Sequence, residues 1–261
     1  MDTAAARLAP PRSPLLADRI TEALLLAGLP VGYGGHGPGV HLRPAQPYGD
    51  SDHCAGLIAL HWEPGPRLLA AAAMAQQPAS AARDVVISGM QNALAEFLPA
   101  FGLEVTLGRP EGETRVGQAA DAGHVDVRAS APSGVGPRPQ DLGIGAEVVE
   151  AVGRAAALAG LPVADHLHAP GITLDVCRPV DDGDDTTGVA DLRWNPSRRL
   201  SAAAEGDDRA ARLRTAVQDA MRHAFGSVLG ACGLELRWRR PAHLPYQLRA
   251  YGPAAQPPIR H

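Results

Sequence analysis

The chain has 261 residues, of which 48 are Ala, 29 Gly and 24 Pro, so well over a third of its positions offer little or no side chain for chemistry. All 24 basic residues are Arg, and the absence of Lys excludes a Schiff-base lysine, a P-loop lysine and a polylysine tail. Against 28 acidic residues the net charge is -4, which argues against a chain-wide nucleic-acid footprint and leaves room only for a local arginine patch.

Scarce Lys, Asn and Ile beside abundant Ala, Gly, Pro and Arg is the amino-acid signature of a GC-rich genome. No apolar run reaches membrane-spanning length, and residues 1–14 lack the apolar core of a signal peptide, so a soluble, cytoplasmic protein is expected. Cys54, Cys177 and Cys232 are odd in number and widely spaced, which speaks against a disulfide framework or a structural zinc site.

Residues 1–14 read as a disordered N-terminus and 15–129 as a first domain. A helix over 15–27 stops at Gly28, before Leu29-Pro30, because Gly accepts the left-handed conformation and Pro forbids continuation. Extended runs follow at 29–33, 40–43 and 56–62, with a turn composition over 48–52 that makes the last two a hairpin. Ile87, Met90, Leu94, Phe97, Leu98 and Phe101 keep helical spacing for a second helix, which stops at Gly102. Strands are expected at 103–107 and 125–129. Residues 130–143 form a Pro/Gly linker.

From there the pattern repeats. When the chain is laid over itself with Ala27 on Ala159, Ala27-Gly28-Leu29-Pro30-Val31 matches Ala159-Gly160-Leu161-Pro162-Val163, and positions 27–72 carry 21 identities in 46 without a gap. The second domain, 144–251, therefore reads as a helix over 147–159, extended runs at 162–166, 172–177 and 188–194, and a helix through Leu213, Val217, Met221, Phe225, Val228, Leu229 and Cys232. Strands at 234–238 and 246–250 close it, and 252–261 is a flexible tail. The expected fold is α+β: two homologous tandem domains, an intramolecular pseudo-dimer, each a mainly antiparallel sheet with two helices in the order α-β-β-β-α-β-β.

Candidate functional residues are few. His36, His166 and His168, with Cys177 and the Asp run at 181–185, invite a metal test, but only His36 and His168 coincide between copies, so no metal and no cofactor is expected. No G-x-S-x-G elbow is present. The glycines from Gly32 to Gly37 lack the strand-before, helix-after setting of a dinucleotide loop. Common to both copies is Trp-x-Pro-x-x-Arg-Leu, which fixes a sheet-to-helix turn. In a functional version of that motif, Trp62, Arg67, Trp194 and Arg199 face one another across a groove between the halves. A locally basic strand carries Arg237, Trp238, Arg239 and Arg240, the kind of surface that suits nucleic acid or an acidic partner.

The Ala-Gly-Leu-Pro-Val segment, the Trp-ended strand and the Ala-rich helix ending in Gly-Leu-Glu resemble small uncharacterised actinobacterial proteins of the mobile-element type. The element order is similar to that of secretion-chaperone-like adaptor domains, and this resemblance implies partner binding rather than catalysis. The expectation is a non-catalytic protein-binding or adaptor protein. The alternatives are a nucleic-acid accessory protein and a metal-dependent enzyme with a His/Asp site.

Overall fold

The computed structural model describes residues 14–32, 37–46, 56–74, 77–107, 113–118, 144–166, 169–177, 188–239 and 247–254. The first helix, α1 (Pro14–Ala27), buries Leu16, Ile20, Ala23, Leu24 and Ala27, the stripe that helical spacing puts on one side. It ends at Gly28 with φ of 80°, and its counterpart α4 (Ala146–Ala159) ends at Gly160 with φ of 78°. Both are left-handed caps that a side chain would strain.

After α1 the chain forms β1 (Val31–Gly32), β2 (Gly39–Pro44) and β3 (Ile58–Glu63). The second half carries β6 (Gly171–Val176) and β7 (Ala190–Asn195), which begin and end at the residues that the sequence register sets on the ends of β2 and β3. The expected hairpin is present in both: Leu42 pairs with Leu60, and Leu174 with Leu192. Even the short parallel contact recurs, as Val31 opposite Val40 and Val163 opposite Ile172.

Among the described residues each half holds three α-helices, where two helices are expected from the sequence. The Ala-rich segment after Trp-x-Pro folds as a separate short helix, α2 (Pro66–Ala73) or α5 (Arg198–Ala203), ahead of the long α3 (Gln77–Phe97) or α6 (Asp208–Ala231). The reason is local: Pro66 starts α2 where its missing N–H costs nothing, and Ser197 caps α5 by accepting from the Leu200 N–H. A fresh N-cap at Asp207 then restarts the chain as α6.

The strands after the long helix are β4 (Leu103–Leu107) and β5 (Thr114–Gln118), then β8 (Leu234–Arg239) and β9 (Gln247–Pro253) in the second half. In the first half a strand lies at Thr114–Gln118, where none is expected from the sequence. Thr114–Gln118 inserts between β3 and β4, with Val105 and Ile58 both opposite Val116, whereas 125–129 lies outside the described residues. β5 thus pairs antiparallel with both of its neighbours. The sheets read β1-β2-β3-β5-β4 and β6-β7-β9-β8, mostly antiparallel, and the architecture is α+β. Among the described residues, no helix is long and apolar enough to cross a membrane.

The halves do not own separate cores. A single cluster of buried side chains runs from Leu16 to Ala250, and α3 against α6 is the most extensive contact between elements. These helices approach closely at Gly89, where an added Cβ would come within 2.6 Å of Val228 Cγ2. The ends of the first helices are exchanged as well. The Gly65 N–H donates to Leu158 O and the Ser197 N–H donates to Leu26 O, each at 2.9 Å.

Gly65 is an absolute small-residue position, since a Cβ there would overlap the carbonyl oxygen of Ala157 in α4. Gly65→Ala is therefore expected to lower stability by about 2 kcal/mol, as overpacking against backbone does. Gly153→Ala, within α4 but with open space around the new Cβ, should gain about 0.5–1 kcal/mol. Urea midpoints moving in opposite directions at constant m-value check the pair.

Candidate functional site

Both tryptophans of the Trp-x-Pro motif are inside. Trp62 is 3% and Trp194 1% exposed, and each indole N–H crosses the seam to a helix end of the other half. Trp62 Nε1 donates to Ala159 O at 2.9 Å, and Trp194 Nε1 to Ala27 O at 2.6 Å. Trp194 also packs edge-on to Phe225 at 6.0 Å. These carbonyls are among the orphan acceptors of a helix C-terminus, and an indole donor with no acceptor capacity suits them. Buried and saturated, the rings cannot meet a ligand at the surface. The expected Trp-lined groove is corrected to a structural clasp.

The arginines of the same motif separate from the tryptophans. Arg67 and Arg199 both reach the surface, on α2 and α5. Arg199 crosses the seam to α1 and donates to Glu22 Oε1 at 2.8 Å. Beside this ion pair is a pocket of about 460 Å³ lined by Asp18, Thr21, Glu22, Leu25, Leu26, Ser197 and Arg199, within the size range of small-ligand sites. One wall comes from each half. Leu26 is buried and forms floor, whereas Leu25 is 50% exposed beside the opening. Sequence reasoning did not select Asp18, Thr21, Glu22 or Leu25. The available signal was the acidic i, i+4 pair Asp18/Glu22, followed one turn on by Leu25, an apolar side chain with no place in the buried stripe.

On β8, an edge strand of its sheet, Arg237, Trp238 and Arg239 are exposed, and Arg240 lies outside the described residues. The Arg237 guanidinium donates to Glu235 Oε1 at 2.6 Å and stacks over the Tyr251 ring at 4.7 Å. Its charge is thus partly matched within its own sheet. Trp238 covers Gly226 of α6, where an added Cβ would lie 3.2 Å from the indole nitrogen.

His36 and His168 lie outside the described residues, while His166 sits 3.6 Å from its neighbour Asp165. Among the described residues no three His, Cys, Asp or Glu are gathered as a metal site. Cys177 and Cys232 are both buried, and burial pushes the Cys232 thiol up to about 12, which leaves it an inert core group.

A second polar cluster, also missed from sequence, covers the outer face of the first sheet. His41 and His61 stand directly opposite on β2 and β3. His41 Nε2 donates to Gly37 O at 2.7 Å, since a carbonyl can only accept, and it lies 3.5 Å from Glu63 Oε2. His61 approaches the buried Glu113, which accepts from Arg115 Nε at 3.2 Å. Arg115 in turn donates to Gln46 O at 2.8 Å. In the second sheet Thr173 and Arg193 stand opposite each other where the first has the two histidines. Nearby Asp191 is buried, and desolvation pushes its carboxyl above the usual range despite the opposing pull of Arg193. The alternation His61/Glu63 and Glu113/Arg115 was the sequence signal, and strand register was needed to combine them.

In the first-sheet cluster the Glu113 carboxylate is engaged by Arg115, whereas His41 Nδ1 is buried without a hydrogen-bond partner; in the second, the Thr173 hydroxyl donates to Arg193 O at 3.3 Å. The seam pocket is a concave feature to which an exposed apolar side chain and ionisable groups both contribute. No family model, curated protein or solved structure matches the chain.

Proposed function

We propose that the chain is a non-catalytic, partner-binding protein made by duplication of one α+β unit, and that it docks a protein partner at the seam where α1 of the first half meets α5 of the second. The observation that carries this reading is the pocket holding Arg199 and Glu22 as a cross-seam pair with Leu25 half exposed at its mouth. The recurrence of element order and strand order in the second half supports the duplication. A rigid groove formed only when both halves fold together suits an adaptor, because recognition then reports the assembled state. The arginine strand β8 supports nucleic-acid binding less well, since Glu235 and Tyr251 engage Arg237.

Photo-crosslinking from a benzoylphenylalanine at position 25, in the cells that make the protein, tests the reading. A discrete adduct to one protein is expected, and it should be lost when Arg199→Glu is added. Equal adducts from position 107, whose Leu107 is 56% exposed on the distant β4, would sink the proposal.

A further inference from the structure

The pocket at the seam is chemically lopsided. Asp18 and Glu22 stand one helical turn apart on α1, and Arg199 is the cation that lines the pocket with them. The Glu22 carboxylate is committed to Arg199 at 2.8 Å, with side chains 30% and 45% exposed. Among the described residues, the exposed Asp18 has no ionic partner. The lining therefore keeps one carboxylate unmatched. Leu25, 50% exposed, and the buried Leu26 give it an apolar side, and Thr21 adds a hydroxyl.

A carboxylate beside an apolar wall is complementary to a cation on an aliphatic stem. The stem covers leucine, and the head reaches the carboxylate. The corresponding place at the other seam has different chemistry. In the register that sets Ala27 on Ala159, Arg154 replaces Glu22, Ala157 replaces Leu25, Glu150 replaces Asp18 and Arg67 stands for Arg199. The acid at the Asp18 position there, Glu150, already has the Arg154 guanidinium 3.9 Å away, so the unmatched carboxylate is particular to the first seam.

We propose that the seam pocket receives an arginine or lysine side chain carried by a protein partner; this rests on the partner-binding reading above. A polypeptide, rather than a free amine, is the occupant because the apolar surface continues past the pocket. Leu15, 75% exposed, lies on the same side of α1 as Asp18, Glu22 and Leu25 by helical spacing, about 15 Å from Leu25 along the axis. A small organic cation fills about 460 Å³ and leaves Leu15 in water, whereas a segment with apolar residues flanking its basic side chain covers both.

Three probes test this by NMR titration of the full chain: a capped leucine-arginine-leucine peptide, the same peptide with glutamate in place of arginine, and agmatine. The arginine peptide is expected to shift the amides of Thr21, Glu22 and Leu25 saturably, to bind about ten-fold more weakly to Asp18→Asn, and to bind several-fold more tightly than agmatine. Asp18 is exposed, so the variant keeps its fold, and unchanged amide positions elsewhere verify that. Glutamate peptide binding as well as arginine peptide, or Asp18→Asn binding like the parent, overturns the assignment of a cationic occupant. Agmatine matching the arginine peptide overturns the polypeptide source. If crosslinking from position 25 finds a partner while the arginine peptide leaves the pocket unshifted, the basic occupant alone is refuted. If both fail, the docking reading falls with it.

Discussion

Residues 1–129 and 144–261, produced as separate polypeptides, are each expected to lack a stable monomeric fold and to regain native near-ultraviolet circular dichroism only when mixed. The long helices α3 and α6 make the most extensive contact between elements, with Gly89 of α3 set against Val228 of α6. Separating the halves would return part of the shared apolar cluster to water, and each large side chain exposed costs about 1.5–3 kcal/mol. A few such losses match the whole stability of an ordinary domain. Separation would also strip the cross-seam donors from Leu26, Ala27, Leu158 and Ala159, leaving two helix ends without their caps. A half rescued by self-association would use the same surfaces as its missing neighbour, so sedimentation should find homodimer rather than folded monomer. A half that unfolds cooperatively as a monomer would show that the shared core is dispensable.

The likeness of the two halves was legible because the punctuation is chemical. Gly28 and Gly160 take the same left-handed turn, and the Trp-x-Pro motif ends β3 and β7 at the same point. Apolar spacing likewise located the long helices. Register and partner choice were less accessible. Thr114–Gln118 has no apolar alternation to mark it as a strand, and it gains its place from pairing with both β3 and β4. The split between α2 and α3 was masked by a run of alanines that suits either one helix or two. The pocket was hidden for another reason. Asp18, Glu22 and Leu25 belong to one half and Arg199 to the other, so the grouping exists only after the halves dock. Trp62 and Trp194 were chosen from sequence because they recur, but recurrence is equally what a shared structural clasp requires. Only the position of the indole N–H relative to the opposite helix end distinguishes the two.

That clasp sets the second large effect. Trp194→Ala is expected to cost about 3–5 kcal/mol, the usual range for deleting a buried aromatic ring, whereas Trp194→Phe should cost about 1–2 kcal/mol. The alanine variant loses the edge-on contact with Phe225 and opens a cavity between α6 and β7. The phenylalanine variant keeps most of the packing and loses the donor to Ala27 O. That carbonyl also lies next to the Gly28 cap, so its exposure to an apolar surround penalises the end of α1. Because α1 supplies Asp18, Glu22 and Leu25, the effect of Trp194→Phe should extend to the pocket. Hydrogen exchange of the Thr21–Leu26 amides should speed up more than that of α3. Denaturant titrations of both variants, followed by tryptophan fluorescence and far-ultraviolet circular dichroism, should give coincident single transitions. Two separated transitions would mean that the first half keeps its structure after the clasp is lost. In that case the indole bond would tie together two cores rather than complete one, and the pocket could open and close with the seam.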